Sequence, residues 1–227
     1  MHALVTYSVP SLFSLRMLQA NAHAARTLVC PTPAGVNMGL LSTLIRRDGP
    51  LRAQEHLDWL APLGVAWSPP QRLAVTAVTV RIWKDTAGET LTSSVGMREY
   101  AHLPGTCGLA LLDVPDERQA DLEYALARLR ALGNAESLIQ PSAPARWADG
   151  VPPDFVILTD DDGGRGGYVC VLDDLGSAPS FERLSVYRPV GRGNLPRLGE
   201  ERRRLLIRLP LRVARRSTDG YVVERTQ

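Results

Sequence analysis

The sequence predicts an α+β fold: a ferredoxin-like core with a projecting arm, followed by a β-rich C-terminal part. Three observations carry that prediction. Alternating, β-branched stretches recur at 2–9, 72–83 and 106–114. Two segments between and after them, near 33–48 and 116–132, repeat their apolar residues at helical spacing. Beyond residue 140 the chain turns to short apolar stretches punctuated by Gly, Asp and Pro.

The first strand is read from HALVTYSV, where Ala3, Val5, Tyr7 and Val9 alternate with more polar positions and Pro10 ends the run. Residues 11–32 follow no period and carry Arg16, His23 and Arg26. A helix then opens at CPTPAGVNMG. Thr32 suits the cap, Pro33 the first helical position, and Val36, Leu40, Leu41, Leu44 and Ile45 fall on one face before Asp48-Gly49-Pro50 stops it. A second short helical piece is expected around Leu57 and Leu60. RLAVTAVTVRIW (72–83) reads as the second strand and TCGLALLDV (106–114) as the third. Asp116 is placed as the cap of a helix whose inner face is Leu122, Ala125, Leu126 and Leu129, with Gly133 past its end. The order β-α-β-β-α begins a ferredoxin-like unit, and FVILT (155–159) is assigned as its last strand.

The segment KDTAGETLTSSVGMREYAHLPG (84–105) is too long for a hairpin turn, so a projecting loop or β-arm is expected there. These readings divide the chain into a ferredoxin-like domain at 1–140, with its arm at 84–105, and a β-rich subdomain at 141–227. In the second part, strands are expected at 167–174, 181–188, 203–213 and 220–225.

Composition narrows the function. Hydrophobic residues make up 44% and charged residues 22%, the balance of an ordinary globular chain, and the net charge of +2 demands no polyanionic partner. The basic residues are nevertheless gathered: nine arginines lie between 192 and 216, opposed there only by Glu200 and Glu201, while Lys84 is the sole lysine. Leu205, Ile207, Leu209, Leu211 and Val213 alternate with mainly basic neighbours, which predicts a half-buried strand with an edge or bulge at Pro210. Three scattered cysteines without a CxxC pair argue against structural zinc. They, and the lack of a signal-peptide pattern, point to a reducing cytoplasm. No apolar run approaches the roughly 20 residues that span a bilayer.

Chemistry-bearing motifs are few. Gly35 and Gly39 at a helix start would let an anion approach, but no Gly-Lys-Ser/Thr follows, and close helix packing explains them as well. TDDDGGRGG brings Asp160, Asp161 and Asp162 together without the spaced ligands and closing Glu of a calcium loop, so it reads as a solvated turn and no metal is expected. His2, His23, His56 and His102 include no HExxH pair, and no serine sits in a GxSxG elbow. In the arm, Lys84 and Arg98 suit phosphates and Tyr100 suits base stacking.

Three stretches in order resemble the Cas "five" family, the small RAMP-type subunit of CRISPR Cascade complexes: PTPAGVNMGLLSTL, GMREYAHLPGTCGLALL and LEYALARLRALGNAESL. They span residues 1–140. The resemblance implies an RRM-like core, a β-arm or thumb between the second and third strands, and a smaller C-terminal β-domain. It implies a non-catalytic, cytoplasmic subunit that holds the 5′ handle of a guide RNA, caps the backbone filament beside the backbone and large subunits, and touches target DNA only indirectly. Arg98 matches the family's handle-approaching arginine, and Thr32 and Gly35 match the helix start. With Arg16 and Arg26 of the irregular segment, and Asn37, Lys84 and Tyr100, they form the candidate RNA-binding set. Pro33 and Ala34 replace the more usual Arg/Ser-type residues, and Gly96 stands where an aromatic is common. The Tyr/Lys/His set of the RNA-cleaving relative is matched by only one lysine, so no catalytic residue and no cofactor is expected. A guide-processing endoribonuclease on the same fold, or a protein-interaction module without RNA, are the rival readings.

Overall fold

The computed structural model describes residues 1–20, 24–86, 90–160, 166–185 and 195–226. In chain order the elements are β1 (His2–Ser8), β2 (Ala24–Ala25), α1 (Pro33–Asp48), a 3-10 turn (Pro50–Arg52), α2 (Ala53–Leu60), β3 (Gly64–Ser68), β4 (Arg72–Thr86), β5 (Thr90–His102), β6 (Thr106–Leu112), a second 3-10 turn (Asp116–Arg118) and α3 (Gln119–Arg128). Then follow β7 (Gln140–Pro141), β8 (Arg146–Ala148), β9 (Val156–Ile157), β10 (Tyr168–Leu175), α4 (Phe181–Leu184), β11 (Arg202–Leu209), β12 (Leu211–Arg216) and β13 (Gly220–Arg225).

The first sheet runs β7-β1-β6-β3-β9, with β8 also paired to β1, all antiparallel. The period of two in β1 sorts its side chains. Ala3, Val5 and Tyr7 enter the main core with the helices, whereas Leu4 joins Ala66, Ala110 and Leu112 on the other face. The Tyr7 hydroxyl donates to the Leu126 carbonyl at 2.8 Å, fastening α3 to the sheet. The second face is covered by the chain itself, through Ala148, Val151 and Phe155. Gly108 makes that possible: a Cβ there would stand 2.5 Å from the Phe155 ring and 2.9 Å from the Ser68 Cβ.

The second sheet runs β12-β13-β4-β5-β2, and β10 with β11 forms a separate two-stranded ribbon. The β4–β5 hairpin is in register from Ala74↔His102 to Thr86↔Thr90. β13 flanks it only at Arg72–Thr76 and β2 only at Met97–Arg98, so beyond those residues neither edge of the hairpin is covered by a strand among the described residues.

Several sequence expectations are corrected. The second strand of the first sheet is Gly64–Ser68, not 72–83, which belongs to the arm sheet. Of the loop or β-arm expected at 84–105, the β-arm is found, and it starts earlier than expected, as the long strands β4 and β5. Its Thr and Ser residues suit a pleated strand with both faces wet, and that pattern reads as loop in a one-sided hydrophobicity scan. FVILT contributes only Val156–Ile157 and pairs with β3; the edge beside β1 is filled by β7 and β8, from a stretch that reads as linker. Residues 181–184 are a helical turn rather than strand, and 186–190 lie outside the described residues. The long basic strand is divided at Pro210, whose missing N–H breaks the ladder; its carbonyl accepts from the Thr226 amide at 2.8 Å. The apolar positions Leu205, Ile207, Leu209 and Leu211 are all buried as expected. One apolar cluster runs from Ala3 and Leu40 through Leu122 to Cys170, Leu205 and Val223.

Candidate nucleic-acid interface

The start of α1 is closed. Thr32 Oγ1 accepts the Gly35 amide at 3.0 Å, the Val36 amide returns to the Thr32 carbonyl at 2.9 Å, and Pro33 has no N–H. Within the first turn, the Ala34 amide is the one that this cap does not settle. Thr32, Pro33 and Ala34 are themselves buried. Asn37, expected among the ligand-facing groups, is 0% exposed, and neither its amide nitrogen nor its oxygen finds a partner among the described residues. The helical repeat turns it inward with Val36, Leu40 and Leu41, so it offers nothing to a surface ligand. Gly39 serves packing, since a Cβ there would come within 2.8 Å of Leu129 Cδ1.

The arm sheet offers a different surface. Cross-strand partners share a face, so the register places Arg72, Ala74, Thr76 and Val78 of β4 beside His102, Tyr100 and Arg98 of β5. On the other side of β4, Glu224 and Val222 of β13 join them, followed by Arg212 and Arg215 of β12. The inner neighbours Leu73, Val75, Ala101 and Val223 are buried, so this set faces outward. Four arginines, 72, 98, 212 and 215, therefore share this face with one carboxylate of the register set, Glu224, which lies 3.5 Å from Arg72 and 3.6 Å from Arg212. Lys84 pairs with Thr92 further along the same hairpin. Thus Arg98 and Tyr100 lie on one face of β5. Arg72, Arg212 and Arg215 are additions that no local motif announces, because only the register of four strands unites them.

The opposite face of the hairpin, at its root, is built around Glu99. Its Oε2 accepts the Thr27 amide at 3.1 Å and its Oε1 lies 3.6 Å from Arg26 Nε. Beside it, the phenols of Tyr168 and Tyr221 approach to 3.4 Å, and burial raises the pKa of both, keeping them protonated. A cavity of about 360 Å³ opens here, lined by these groups with Met97, Ala77, Val213 and Arg216. Arg16 is exposed, and its backbone bridges to Thr27 on the same irregular segment.

The remaining candidates are accounted for. In β11, Arg202 and Arg203 are held by Asp173 and Asp174 at 2.7 and 2.6 Å, and Arg208 donates to the Gly166 carbonyl at 2.6 Å. In β11, Arg202 and Arg203 are thus paired with carboxylates, Arg208 keeps its charge against a neutral carbonyl, and Arg204 is exposed. Asp160 accepts the Leu206 amide at 3.1 Å, while Asp161, Asp162 and His23 lie outside the described residues. Among the described residues no cluster of three His, Cys, Asp or Glu has the geometry to hold a metal. His56 is fully buried, 2.8 Å from Asp48, with the Trp59 indole donating to its other nitrogen at 3.4 Å. His2 accepts the Asp113 amide at 3.1 Å. His102 is exposed on the arm face. Cys30, Cys107 and Cys170 are free and buried, and burial pushes the Cys107 thiol up to about 12. No helix among the described residues is long and apolar enough to cross a membrane.

No protein-family model matches the chain. Over 140 residues it is 26% identical to the CRISPR-associated protein Cas5 of Archaeoglobus fulgidus, an alignment that covers 60% of this chain and 60% of that relative. Among solved structures, a CRISPR protein from Archaeoglobus fulgidus aligns over 100% of this chain and 92% of its own, at 13% identity and a TM-score of 0.40. A chain of a CRISPR RNA-guided surveillance complex aligns over 100% and 90%, at 15% identity and a TM-score of 0.49.

Proposed function

We propose that this Cas5-type chain is a non-catalytic RNA-binding subunit of a Cascade-like CRISPR effector, holding the 5′ handle of the guide RNA at one end of the backbone filament. The observation that carries the reading is the outward face of the arm sheet, where Arg72, Arg98, Arg212 and Arg215 share one side of the sheet with Tyr100 and Glu224 is the only acid in the register set. Single-stranded RNA is held by clasped phosphates and stacked bases, and this face supplies guanidiniums for the first and a phenol ring for the second. The strand order β7-β1-β6-β3, with helices against the face that carries Tyr7, supports a ferredoxin-like core. In an RRM the other face of that sheet meets RNA; here Phe155 and its neighbours occupy it, which favours the arm sheet instead. Backbone and large subunits are the proposed protein partners.

The experiment is binding of a repeat-derived handle RNA against a scrambled RNA of equal length. Arg98→Ala is expected to weaken handle binding and to flatten the salt dependence by about 0.7 in log–log slope, one phosphate's share on a single strand. Equal binding of the scrambled RNA at moderate salt removes the handle reading. The endoribonuclease reading retains one favouring observation, the alternation of Arg98, Tyr100 and exposed His102 on one strand face. Metal-free incubation with repeat RNA decides it: intact RNA eliminates the nuclease, and a cut at the handle boundary establishes it.

A further inference from the structure

Resting on the RNA-binding reading above, we propose that the cavity at the inner root of the arm holds one nucleobase, and that it prefers bases bearing an exocyclic amino group over uracil. At about 360 Å³ the cavity is at the small end of ligand sites, too small for a folded segment and adequate for one nucleotide. Its walls differ in chemistry. Ala24, Ala77, Met97 and Val213 make an apolar side against which a flat ring can lie. Tyr168, Tyr221 and Glu99 make the polar side, and Arg26 and Arg216 stand among the lining groups.

The charges select the ligand class. Two guanidiniums against one carboxylate leave the cavity net positive, which disfavours a lysine or arginine from a partner and favours a ring that carries a phosphate. The Ser217 and Thr218 hydroxyls line the same cavity and can hydrogen-bond a sugar or phosphate. Glu99 sets the preference among bases. One of its oxygens receives the Thr27 amide, and a carboxylate has about four lone-pair sites, so acceptor capacity remains. Adenine, cytosine and guanine each offer an amino group to it. Uracil presents its N–H between two carbonyl oxygens, which the carboxylate repels. The two phenols share one hydrogen bond, which leaves an O–H to donate to a ring nitrogen or carbonyl.

The test is a titration of the full chain, labelled at the methionine methyls, with AMP, CMP, GMP, UMP and ribose 5-phosphate. The Met97 resonance is assigned by its loss in Met97→Leu. Saturable movement of Met97 with the three amino bases is expected, with UMP weaker by about tenfold, a typical cost of mismatching one buried polar group. Ribose 5-phosphate is expected to leave it unmoved. Glu99→Gln, whose side-chain oxygen can still take the Thr27 amide, is expected to erase the discrimination. An unmoved Met97 with every nucleotide, equal movement with ribose 5-phosphate, or equal affinity for UMP overturns the proposal. Single-stranded RNA run in parallel separates the two levels: RNA that binds without disturbing Met97 overturns the base pocket alone, whereas no RNA binding at low salt removes the RNA reading itself.

Discussion

Replacing Glu224 with Gln is expected to tighten RNA binding. Glu224 is the single carboxylate in the outward register set, 3.5 Å from Arg72 and 3.6 Å from Arg212. Its charge opposes any phosphate those arginines engage. Two unit charges about 7 Å apart in bulk water interact by roughly 0.6 kcal/mol, and 0.1 M salt halves that. With two phosphates near the face, removing the carboxylate is worth about 0.6 kcal/mol, or two- to threefold in affinity. If the released guanidinium captures one more phosphate, the log–log salt slope steepens by about 0.7, so the advantage shrinks by about 2.5-fold between 50 and 200 mM salt. Stability moves little, because exposed ion pairs are worth about 0–1 kcal/mol. Fluorescence anisotropy of a labelled single-stranded RNA across a salt series measures both quantities. Misfolding cannot imitate a gain of binding. Unchanged affinity and slope, or weaker binding, would refute the placement of RNA on this face.

Three further expectations concern the scaffold. Asn37→Ala removes two buried polar atoms that lack partners and improves helix propensity, so unfolding free energy is expected to rise by about 1 kcal/mol, or 2–4 °C in Tm; a fall of that size in thermal melts contradicts it. Gly108→Ala drives a methyl into Phe155 and Ser68 and is expected to cost about 1–3 kcal/mol in denaturant unfolding, with neutrality showing that segment 142–155 does not rest on the sheet as described. The Arg47 guanidinium beside Asp48, with His56, lowers that carboxyl to about 2. A depressed folded-state pKa contributes stability that is complete above about pH 4 and is lost as pH falls toward 2. Asp48→Asn should therefore flatten the acid limb of the stability curve, and an unaltered limb would exclude this carboxylate as its source.

Elements with one wet and one buried face were legible from the sequence. α1 announces itself by a cap, a proline and a stripe of leucines, and β1 by its period of two. The hairpin was legible only as a loop or β-arm, because its Thr, Ser and Gly residues carry no one-sided signal. The short β3 carries a weaker strand signal than the longer and more β-branched β4, although pairing with β6 makes β3 the true neighbour in that sheet. Arg98 and Tyr100 were legible from the residues of the arm and the family motif. Arg72, Arg212, Arg215 and Tyr221 were not, since they come from strands far apart in the chain and only their register brings them to the same hairpin. Asn37 shows the opposite failure: a polar residue in a promising motif that the helical repeat turns into the core.

The uncovered hairpin edges affect how the protein behaves alone. Past Thr76 on one edge and before Met97 on the other, no strand among the described residues flanks the hairpin, and Trp83 and Val95 are 61% and 63% exposed alongside. Such a ribbon is a template for a like strand, and two copies lying edge to edge satisfy both edges at once. Self-association through this edge is expected to rise with concentration, and sedimentation across a dilution series measures it. A neighbouring subunit laid along the same ribbon would act as a chaperone against self-association, which makes co-expression the natural route to a monodisperse sample.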